Sequence, residues 1–336
     1  MIPFLVSSLL ITKHRPRLQS TMAAKYDSVI VFGPTGAVGG SAALEASKRG
    51  AKVWLAMRNT SKAIEEIPAD VENSDAFERV QADLTDPGSV ETAIKKSGAK
   101  AAYLYLIFGS PDNMRGSLQA MKDAGVEYVV FLSSVTITRG KDFRSFSPEH
   151  FVSWSHAQVE LALEEIGFPH VTALRPAVFA SNHFNMELDR SAKPPRANIT
   201  YEDTLMDNIV PFDIGAVGGA VLVEMPSNGK EIIYLCGPQQ TTFKDVWETI
   251  KRVTGRDDLD TTPIDPEEWL ARASQNMPLL TAKELLRIYE EWRDPEGMLP
   301  KPEYQQAVAN IKKFSGREPT KFEDYIEAHK AQWQAI

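Results

Sequence analysis

Residues 31–40, which read VFGPTGAVGG, decide the fold, because three glycines recur there as G-x-x-G-x-x-G between an apolar run and a helical pattern. In this spacing Gly33 permits a tight turn, Gly36 lets a pyrophosphate approach the backbone, and Gly39 lets the helix pack closely on the strand. The start of that helix offers free N–H groups and the positive end of its dipole to phosphate. The strand–loop–helix context therefore favours a dinucleotide-binding loop over a ligand-free turn. The same loop contributes further residues to the predicted cofactor site, namely Thr35, Ala37 and Val38.

On both sides of this loop, short β-branched runs alternate with helical patterns, which indicates successive βαβ units and a parallel sheet. The helix after the third strand is predicted to open at Pro87 and to close at Gly98. A long helix follows the fifth strand, with Ser147 predicted as its cap and Pro148 in its first turn. Six strands are predicted in this region, at YDSVIVFG (26–33), AKVWLAMRN (51–59), FERVQADLTD (77–86), AKAAYLYLIFG (99–109), VEYVVFLSSV (126–135) and HVTALRPAVF (170–179).

These elements predict an α/β protein with a Rossmann-type doubly wound parallel sheet and a smaller, mostly helical C-terminal substrate lobe. We expect the Rossmann domain over residues 25–180 and the lobe over 181–336, because the alternation stops near 180 and a Pro- and Asn-rich segment follows. A helical pattern at GAVGGAVLVEM (215–225) and an apolar run at EIIYLCG (231–237) predict that about 205–240 return to the Rossmann sheet.

The composition of the 336-residue chain narrows the class of function. It is 43% hydrophobic and 24% charged, which is ordinary for a globular protein, and its formal charge of −8 disfavours a nucleic-acid partner. No apolar run reaches the length of about 18 residues that a membrane span requires. The single cysteine, Cys236, excludes an internal disulfide, and the six scattered histidines predict no metal site. The sequence also lacks the H-E-x-x-H and G-x-S-x-G motifs of zinc proteases and α/β-hydrolases.

An N-terminal extension over residues 1–24, either disordered or a presequence, precedes the first predicted strand. It contains no acidic residue and carries Lys13, Arg15 and Arg17, so a mitochondrial presequence over 1–21 is one interpretation. The other is that translation starts at Met22 rather than Met1. We favour the second interpretation and expect a cytoplasmic protein.

The end of the second predicted strand favours NADP(H) over NAD. Proteins that prefer NAD place an acidic residue there, whereas this chain has Arg58 and, four residues on, Lys62. The guanidinium group of an arginine at that position is suited to pair with the 2′-phosphate of NADP(H). Three other residues near strand ends complete the predicted cofactor site, namely Asp83 and Leu84 after the third strand and Phe108 after the fourth.

These motifs together resemble the NmrA-like branch of the atypical short-chain dehydrogenase/reductases, which includes isoflavone-reductase-like enzymes. The resemblance runs from about Val29 to about Gly255 and rests on GPTGAVGG, Arg58, ADLTDPGSV, FLSSV, VELALEEIGFPHVTALRPAVFASN, FDIGAVGGAVL and GPQQTTFKDVWETIKRVTGR. It implies an NADP(H)-binding Rossmann domain with a C-terminal substrate lobe. The family includes both reductases and proteins thought to sense the NADP state while binding regulators, so the resemblance leaves the activity open.

The long helix after the fifth strand is where short-chain dehydrogenases carry their catalytic residues. Short-chain dehydrogenases place a Tyr and a Lys four residues apart on this helix, and the Tyr passes a proton to the substrate. Alignment with the family's helix puts Val152 at the Tyr position and His156 at the Lys position, so the pair is absent. His156 is predicted to bind the nicotinamide ribose or to act as a general acid, and Ser133 to position a substrate carbonyl. A purely structural role stays open for both.

The sequence thus supports three hypotheses. The first is an NADPH-dependent reductase of a small apolar or aromatic organic molecule, such as a secondary-metabolite intermediate. The second is a non-catalytic NADP(H) sensor whose lobe binds a regulatory protein. The third keeps the fold for redox-neutral chemistry such as dehydration or isomerisation.

Overall fold

The computed structural model describes residues 25–137, 142–226 and 229–336. The predicted extension over residues 1–24, and with it the choice between Met1 and Met22, lies outside the described residues. The strands are β1 (Ser28–Phe32), β2 (Lys52–Met57), β3 (Phe77–Gln81), β4 (Ala101–Tyr105), β5 (Tyr128–Leu132), β6 (His170–Pro176), β7 (Leu188–Asp189), β8 (Arg196–Ala197), β9 (Leu205–Met206), β10 (Lys230–Leu235) and β11 (Thr241–Thr242).

The helices alternate with the strands in the first half of the chain and dominate the second half. They are α1 (Ala37–Lys48), α2 (Ala69–Glu72), α3 (Pro87–Ser97), α4 (Arg115–Asp123), α5 (Phe151–Ile166), α6 (Asn182–Asn185), α7 (Pro211–Val223), α8 (Phe243–Thr254), α9 (Pro266–Ala273), α10 (Leu279–Glu291), α11 (Lys301–Ser315), α12 (Phe322–Ala328) and α13 (Lys330–Gln334). Two 3-10 helices, Val135–Ile137 and Phe143–Ser145, precede α5.

Seven strands form one parallel sheet in the order β10-β6-β5-β4-β1-β2-β3. Strands with both faces covered are continuously apolar, and β1 accordingly buries Val29, Ile30, Val31 and Phe32. The strand order reverses between β1 and β4, which is where α/β proteins of this kind form their ligand crevice. The predicted Rossmann-type fold is therefore confirmed.

Helices cover both faces of the sheet and form two separate cores against it. Helices α1, α7 and α11 lie on one face, and α3, α4 and α5 lie on the other. Helices α1 and α7 approach so closely that a Cβ at Gly219 would lie 2.3 Å from the carbonyl oxygen of Ala42. The glycines of α7 thus serve helix packing, because only hydrogen atoms fit between the two backbones.

A third core belongs to the helical lobe beyond residue 180. It buries Trp247, Trp269 and Trp333 among α8, α9, α10, α12 and α13. The chain returns to the Rossmann half at β10, which pairs with β6 at the edge of the sheet, and at α11, which packs on α7 and β10. The lobe is therefore bound to the sheet at several places along the sequence.

Helix α5 begins at Phe151, so the predicted start at Pro148 with Ser147 as the cap is wrong. The residue at the cap position, His150, makes no side-chain capping bond. Instead the buried carboxylate of Glu284, on α10, accepts from the N–H groups of Val152 and Ser153 and from the Ser153 hydroxyl. A partner from a distant helix therefore satisfies the free donors of this helix start.

Candidate functional site: a cleft over the glycine loop

A cleft of about 620 Å³ opens at the carboxyl ends of the central strands, over the loop between β1 and α1. One wall is that loop, and the opposite wall comes from the segment that follows β6 together with the start of α7. Its lining residues are Gly33, Thr35, Gly36, Ala37, Val38, Gly39, Lys62, Tyr103, Tyr105, Leu132, Phe179, Ser181, Asn182, Asn185, Met186 and Pro211. All six cofactor residues predicted in the glycine loop thus lie together in one cleft.

The three glycines of the loop have different steric surroundings. Gly33 has a φ of 73°, and a Cβ there would lie 2.4 Å from the ring of Tyr105. A Cβ at Gly39 would lie 2.3 Å from the carbonyl oxygen of Gly33, so Gly39 is required for the helix to pack on the turn. At Gly36 the nearest atom to an added Cβ is 3.7 Å away. The protein itself therefore does not require a glycine at position 36, and the space beside it opens into the cleft.

The start of α1 presents unpaired N–H groups to this space. Gly40 is the first residue whose N–H bonds within the helix, to the carbonyl oxygen of Gly36 at 2.8 Å. The N–H groups of Ala37, Val38 and Gly39 precede it and have no helical acceptor, and Gly36 offers no capping side chain. Three unpaired donors at the positive end of a helix dipole are an arrangement that suits an anion.

The loop after β2 brings positive charge to the same cleft. Lys62 lines it, and Arg58 lies close enough to Asp83 and Tyr105 to act on the pKa of both. Burial raises the pKa of Tyr105 and Arg58 offsets part of that rise, whereas the pKa of Asp83 is lowered. Hydrogen bonds from Thr85 lower the pKa of Asp83 more than Arg58 does. The cleft thus has a cationic end beside the second strand.

Arg79, which the sequence reading did not single out, holds this loop in place. Its Nη1 donates to the carbonyl oxygens of Thr60 and Lys62, the latter at 2.8 Å. Its Nε and Nη2 donate to the two carboxylate oxygens of Glu72 at 2.6 and 2.9 Å. The backbone on either side of Ser61 is therefore fixed by a guanidinium group that is itself fixed by a bidentate ion pair.

His156 is buried, and its ring lies against those of Phe108 and Phe131. Its Nδ1 is 2.8 Å from the carbonyl oxygen of Val152. Burial lowers the pKa of His156 to about 4, so the ring is neutral at pH 7. Because a carbonyl oxygen only accepts, Nδ1 carries the proton and Nε2 bears a lone pair. His156 is therefore an acceptor at its free nitrogen.

Ser133 closes β5 and belongs to a buried ionic network. Its hydroxyl donates to Glu160 Oε1 at 2.5 Å, and Arg175 donates to both oxygens of the same carboxylate at 3.1 and 2.7 Å. Arg175 Nη1 also donates to the Tyr234 hydroxyl at 2.9 Å. Glu160 stands one helical turn after His156 on α5. The hydroxyl proton of Ser133 is thus held by a carboxylate that is itself paired.

The other predicted cofactor residues do not line the cleft. Leu84 is buried, and its carbonyl oxygen accepts from Ser117. Phe108 is half exposed and stands edge-on to the His156 ring at 5.6 Å between centroids. Arg58, Asp83 and His156 are likewise absent from the wall of this cleft. Their roles as cofactor or catalytic residues stay predictions.

The sequence reading missed the aromatic and apolar part of the wall. Tyr103 and Tyr105 lie on β4, and the rule that ligands bind at the carboxyl ends of parallel strands would have identified Tyr105. Phe179, Met186 and Pro211 reach the cleft only through the fold of the segment after β6, for which no local sequence pattern exists.

The described residues contain neither a cluster that suits a metal ion nor a helix that could span a membrane. No group of three or more His, Cys, Asp or Glu side chains converges there in a way that suits a metal ion. Among the same residues, no helix combines the length and the apolarity that crossing a bilayer requires.

Comparisons with known proteins give a consistent result. Residues 25–326 match the model of the NmrA-like family. A protein of Gibberella fujikuroi described as nitrogen metabolite regulation-like protein bik4 is 37% identical over 319 residues, which cover 90% of this chain and 96% of that protein.

Solved structures resemble the fold over most of the chain. The NADPH-dependent quinone oxidoreductase QOR2 of Escherichia coli, complexed with NADPH, superposes with a TM-score of 0.66 at 18% identity and covers 90% of this chain and 99% of its own. The triphenylmethane reductase of Citrobacter sp., complexed with NADP(H), gives 0.65 at 19% identity with the same coverage. At these identities the likeness concerns the fold alone.

Proposed function

The chain belongs to the NmrA-like family, and from that premise we propose that it binds NADP(H) and reduces a small aromatic or apolar organic molecule. The observation that carries the proposal is the glycine-loop cleft. There the uncapped start of α1 and Lys62 face an opposite wall that contains Phe179, Met186 and Pro211. A phosphate-binding end and an apolar end in one cleft suit a dinucleotide beside an organic substrate.

The residues present fit the cofactor. The N–H groups of Ala37, Val38 and Gly39 would hold the pyrophosphate beside Gly36, where the backbone leaves room. Lys62 and Arg58 would hold the 2′-phosphate, since both are cations and the strand end has no acidic residue that would repel it. When bound, NADPH supplies a hydride from C4 of its nicotinamide.

Neither predicted catalytic residue has a proton ready to release at neutral pH. His156 is neutral, with its one ring proton on the nitrogen that faces Val152. The proton of Ser133 is held by Glu160. We assign His156 the role of accepting a hydrogen bond, for example from a ribose hydroxyl, and we assign delivery of the substrate proton to water.

This assignment narrows the class of substrate. An acceptor reduced without a protein acid must form a product that is stable before it is protonated. Quinones satisfy this condition, because addition of a hydride leaves a stabilised hydroquinone anion that then takes a proton from water. Cationic dyes satisfy it too, because addition of a hydride gives a neutral product. The named activities of the two structural relatives, on quinones and triphenylmethane dyes, are in accord with it.

The proposal is tested first by binding and then by turnover. We expect NADPH to bind more tightly than NADH, and Lys62→Ala or Arg58→Ala to weaken NADPH binding about tenfold while NADH binding is unchanged. Isothermal titration measures both affinities. Lys95→Ala is the matched control, because Lys95 forms only an exposed ion pair with Glu91 on α3.

Turnover is measured as the loss of NADPH absorbance with naphthoquinones, enones and triphenylmethane dyes. His156→Ala is expected to weaken cofactor binding and to leave the pH profile of the rate unchanged. If the rate of the His156→Ala variant rose as the pH fell while the wild-type rate did not, His156 would be a proton donor, and its assignment as a hydrogen-bond acceptor would be contradicted. Tight NADPH binding without turnover on any of these acceptors would contradict the reductase.

A second function, an NADP(H) sensor that binds a regulatory protein, is favoured by one observation. The relative at 37% identity carries the description nitrogen metabolite regulation-like. Under this alternative the cleft binds the cofactor and the lobe binds the partner. Affinity capture from cell extract in the presence of NADP⁺ or of NADPH tests it, and the sensor requires a partner whose capture differs between the two.

A further inference from the structure

A second cavity, of about 810 Å³, lies in the lobe beside the cofactor cleft. The two cavities share Asn185 and Met186 in their walls, and both side chains are exposed. The remainder of its wall comes from the β7–β8 hairpin and from the end of α9 with the turn that follows it. The second cavity therefore stands where a substrate too long for the cleft would extend.

Three guanidinium groups line this cavity, namely those of Arg190, Arg196 and Arg272. Their donors are largely unused within the described part of the chain. Arg272 donates once, from Nη2 to Glu268 at 2.5 Å. Arg196 makes no hydrogen bond through Nε, although the carboxylate of Asp260 lies 3.5 Å away. Arg190 has its guanidinium carbon 5.0 Å from the centre of the Phe184 ring and has no carboxylate within ion-pair distance among these residues.

One acidic side chain, Asp189, also lines the cavity, and the hairpin turn occupies one of its two carboxylate oxygens, Oδ1. It accepts from the N–H and the hydroxyl of Ser191 at 2.9 and 2.6 Å, and from the N–H of Ala192 at 3.3 Å. The Ser191 hydroxyl is the main cause of the lowered pKa of Asp189, and Arg272 lies close enough to contribute to it. The wall as a whole therefore carries more cationic donors than anionic acceptors.

We propose that this arginine cavity binds a carboxylate of the substrate, while the aromatic part of the same molecule extends past Met186 into the cofactor cleft. A guanidinium group presents its donors in a fork that matches the two oxygens of a carboxylate, so each arginine can take the group with two parallel bonds. The inference rests on the proposed reductase function and adds the charge of its substrate.

The test compares two probes of nearly the same shape, the anionic anthraquinone-2-carboxylate and the neutral anthraquinone-2-carboxamide. Their affinities are measured by isothermal titration with NADP⁺ bound, so that no turnover occurs. We expect the carboxylate to bind about tenfold more tightly than the carboxamide. The difference should shrink as the salt concentration rises, because the interaction is ionic.

Variants of the cavity arginines show whether the preference for the carboxylate arises there. Arg196→Met and Arg190→Met keep the aliphatic stem and remove the charge, and each is expected to reduce the preference for the carboxylate about fivefold or more. Arg196→Lys keeps the charge without the fork and should give an intermediate preference. Arg252→Met is the control, since Arg252 forms an exposed ion pair with Glu323 elsewhere in the lobe. Arg190 is exposed, so its variant remains informative if Arg196→Met fails to fold.

Equal affinity of the wild-type protein for the two probes, failure of both to bind, or an unchanged preference in both methionine variants would overturn the inference. NADPH affinity and reduction of an uncharged quinone are measured in parallel. If both persist, the reductase stands and only the anionic substrate is lost. If NADPH itself fails to bind, the proposed function is at fault.

Discussion

Gly36 and Gly39 stand three residues apart, just before and within the first turn of α1, yet a methyl group added at each would act on different properties. A Cβ at Gly36 meets no protein atom closer than 3.7 Å, and its φ of −97° suits any residue. We therefore expect Gly36→Ala to keep its melting temperature within about 1 °C and to weaken NADPH binding at least tenfold, because the methyl group occupies the approach to the pyrophosphate.

Gly39→Ala is expected to have the opposite effect, a loss of stability. Its Cβ would lie 2.3 Å from the carbonyl oxygen of Gly33, and backbone atoms cannot turn away as a side chain can. A loss of about 3 kcal/mol in unfolding free energy is expected. Thermal melts and NADPH titrations of both variants separate the two effects. A Gly36→Ala protein with unchanged NADPH affinity would contradict the placement of the pyrophosphate.

Glu187 is one of the buried carboxyl groups through which the stability of this protein depends on pH. Burial raises its pKa to about 7, and the Tyr289 hydroxyl donates to it at 2.5 Å. Because the folded pKa lies above the unfolded value of about 4.3, the group favours the folded state fully at low pH. That contribution is lost as the pH rises through the folded pKa.

Glu187→Gln keeps the acceptor for Tyr289 and removes the titration. We expect its unfolding free energy to equal that of the wild type near pH 3.5, below the unfolded pKa, and to exceed it by about 4 kcal/mol above pH 8, from about 1.4 kcal/mol per unit of pKa shift. Urea denaturation across this pH range measures the difference. A difference that does not change with pH would show that Glu187 does not titrate in that interval.

At the scale of single elements, the start of α5 depends on a residue of α10. Glu284 accepts from two backbone N–H groups and one hydroxyl there, and its side chain is fully buried. Removal of the carboxylate leaves those donors buried without an acceptor, which costs more than the bonds themselves contributed. The cap holds together a Rossmann helix and a lobe helix.

Glu284→Ala is therefore expected to lower the unfolding free energy by about 3 kcal/mol, and Glu284→Gln by less, since it keeps one acceptor oxygen. The control is Glu290→Ala on the exposed side of the same helix, for which a change within about 0.5 kcal/mol is expected. Urea titration compares the three. Equal losses for Glu284→Ala and Glu290→Ala would mean that the cap contributes nothing to stability.

At the scale of the whole molecule, the Rossmann half is completed by parts of the chain beyond residue 180. Helix α7 covers the sheet beside α1, and β10 extends the sheet beyond β6. Near the C-terminus, Arg317 forms an ion pair with Glu45 at 2.8 Å, and the N–H of Thr320 donates to Asp213 at 2.7 Å. The last fifty residues thus touch both halves of the structure.

We accordingly expect a fragment of residues 25–180 to lack a cooperative thermal transition and to bind no NADPH, because it exposes the face of α1 that α7 covers in the full chain. Circular dichroism melts and NADPH titration, with the full-length chain as control, test this. A cooperative melt together with NADPH binding would establish 25–180 as an autonomous domain.

The sequence by itself determined the parallel sheet, the glycine loop and the family. These depend on short-range signals, since the conformational demand at Gly33, the burial pattern of β1 and the start of α3 at Pro87 all act within a few residues. Only the tertiary structure decided where α5 begins, which side chains form the far wall of the cleft and which arginines share a cavity. Glu284 caps a helix 131 residues away, and Arg272 lines one cavity with Arg190 although the two are far apart in the sequence. Contacts between distant residues leave no local pattern, because packing and electrostatics in the folded chain, rather than backbone preference, select them.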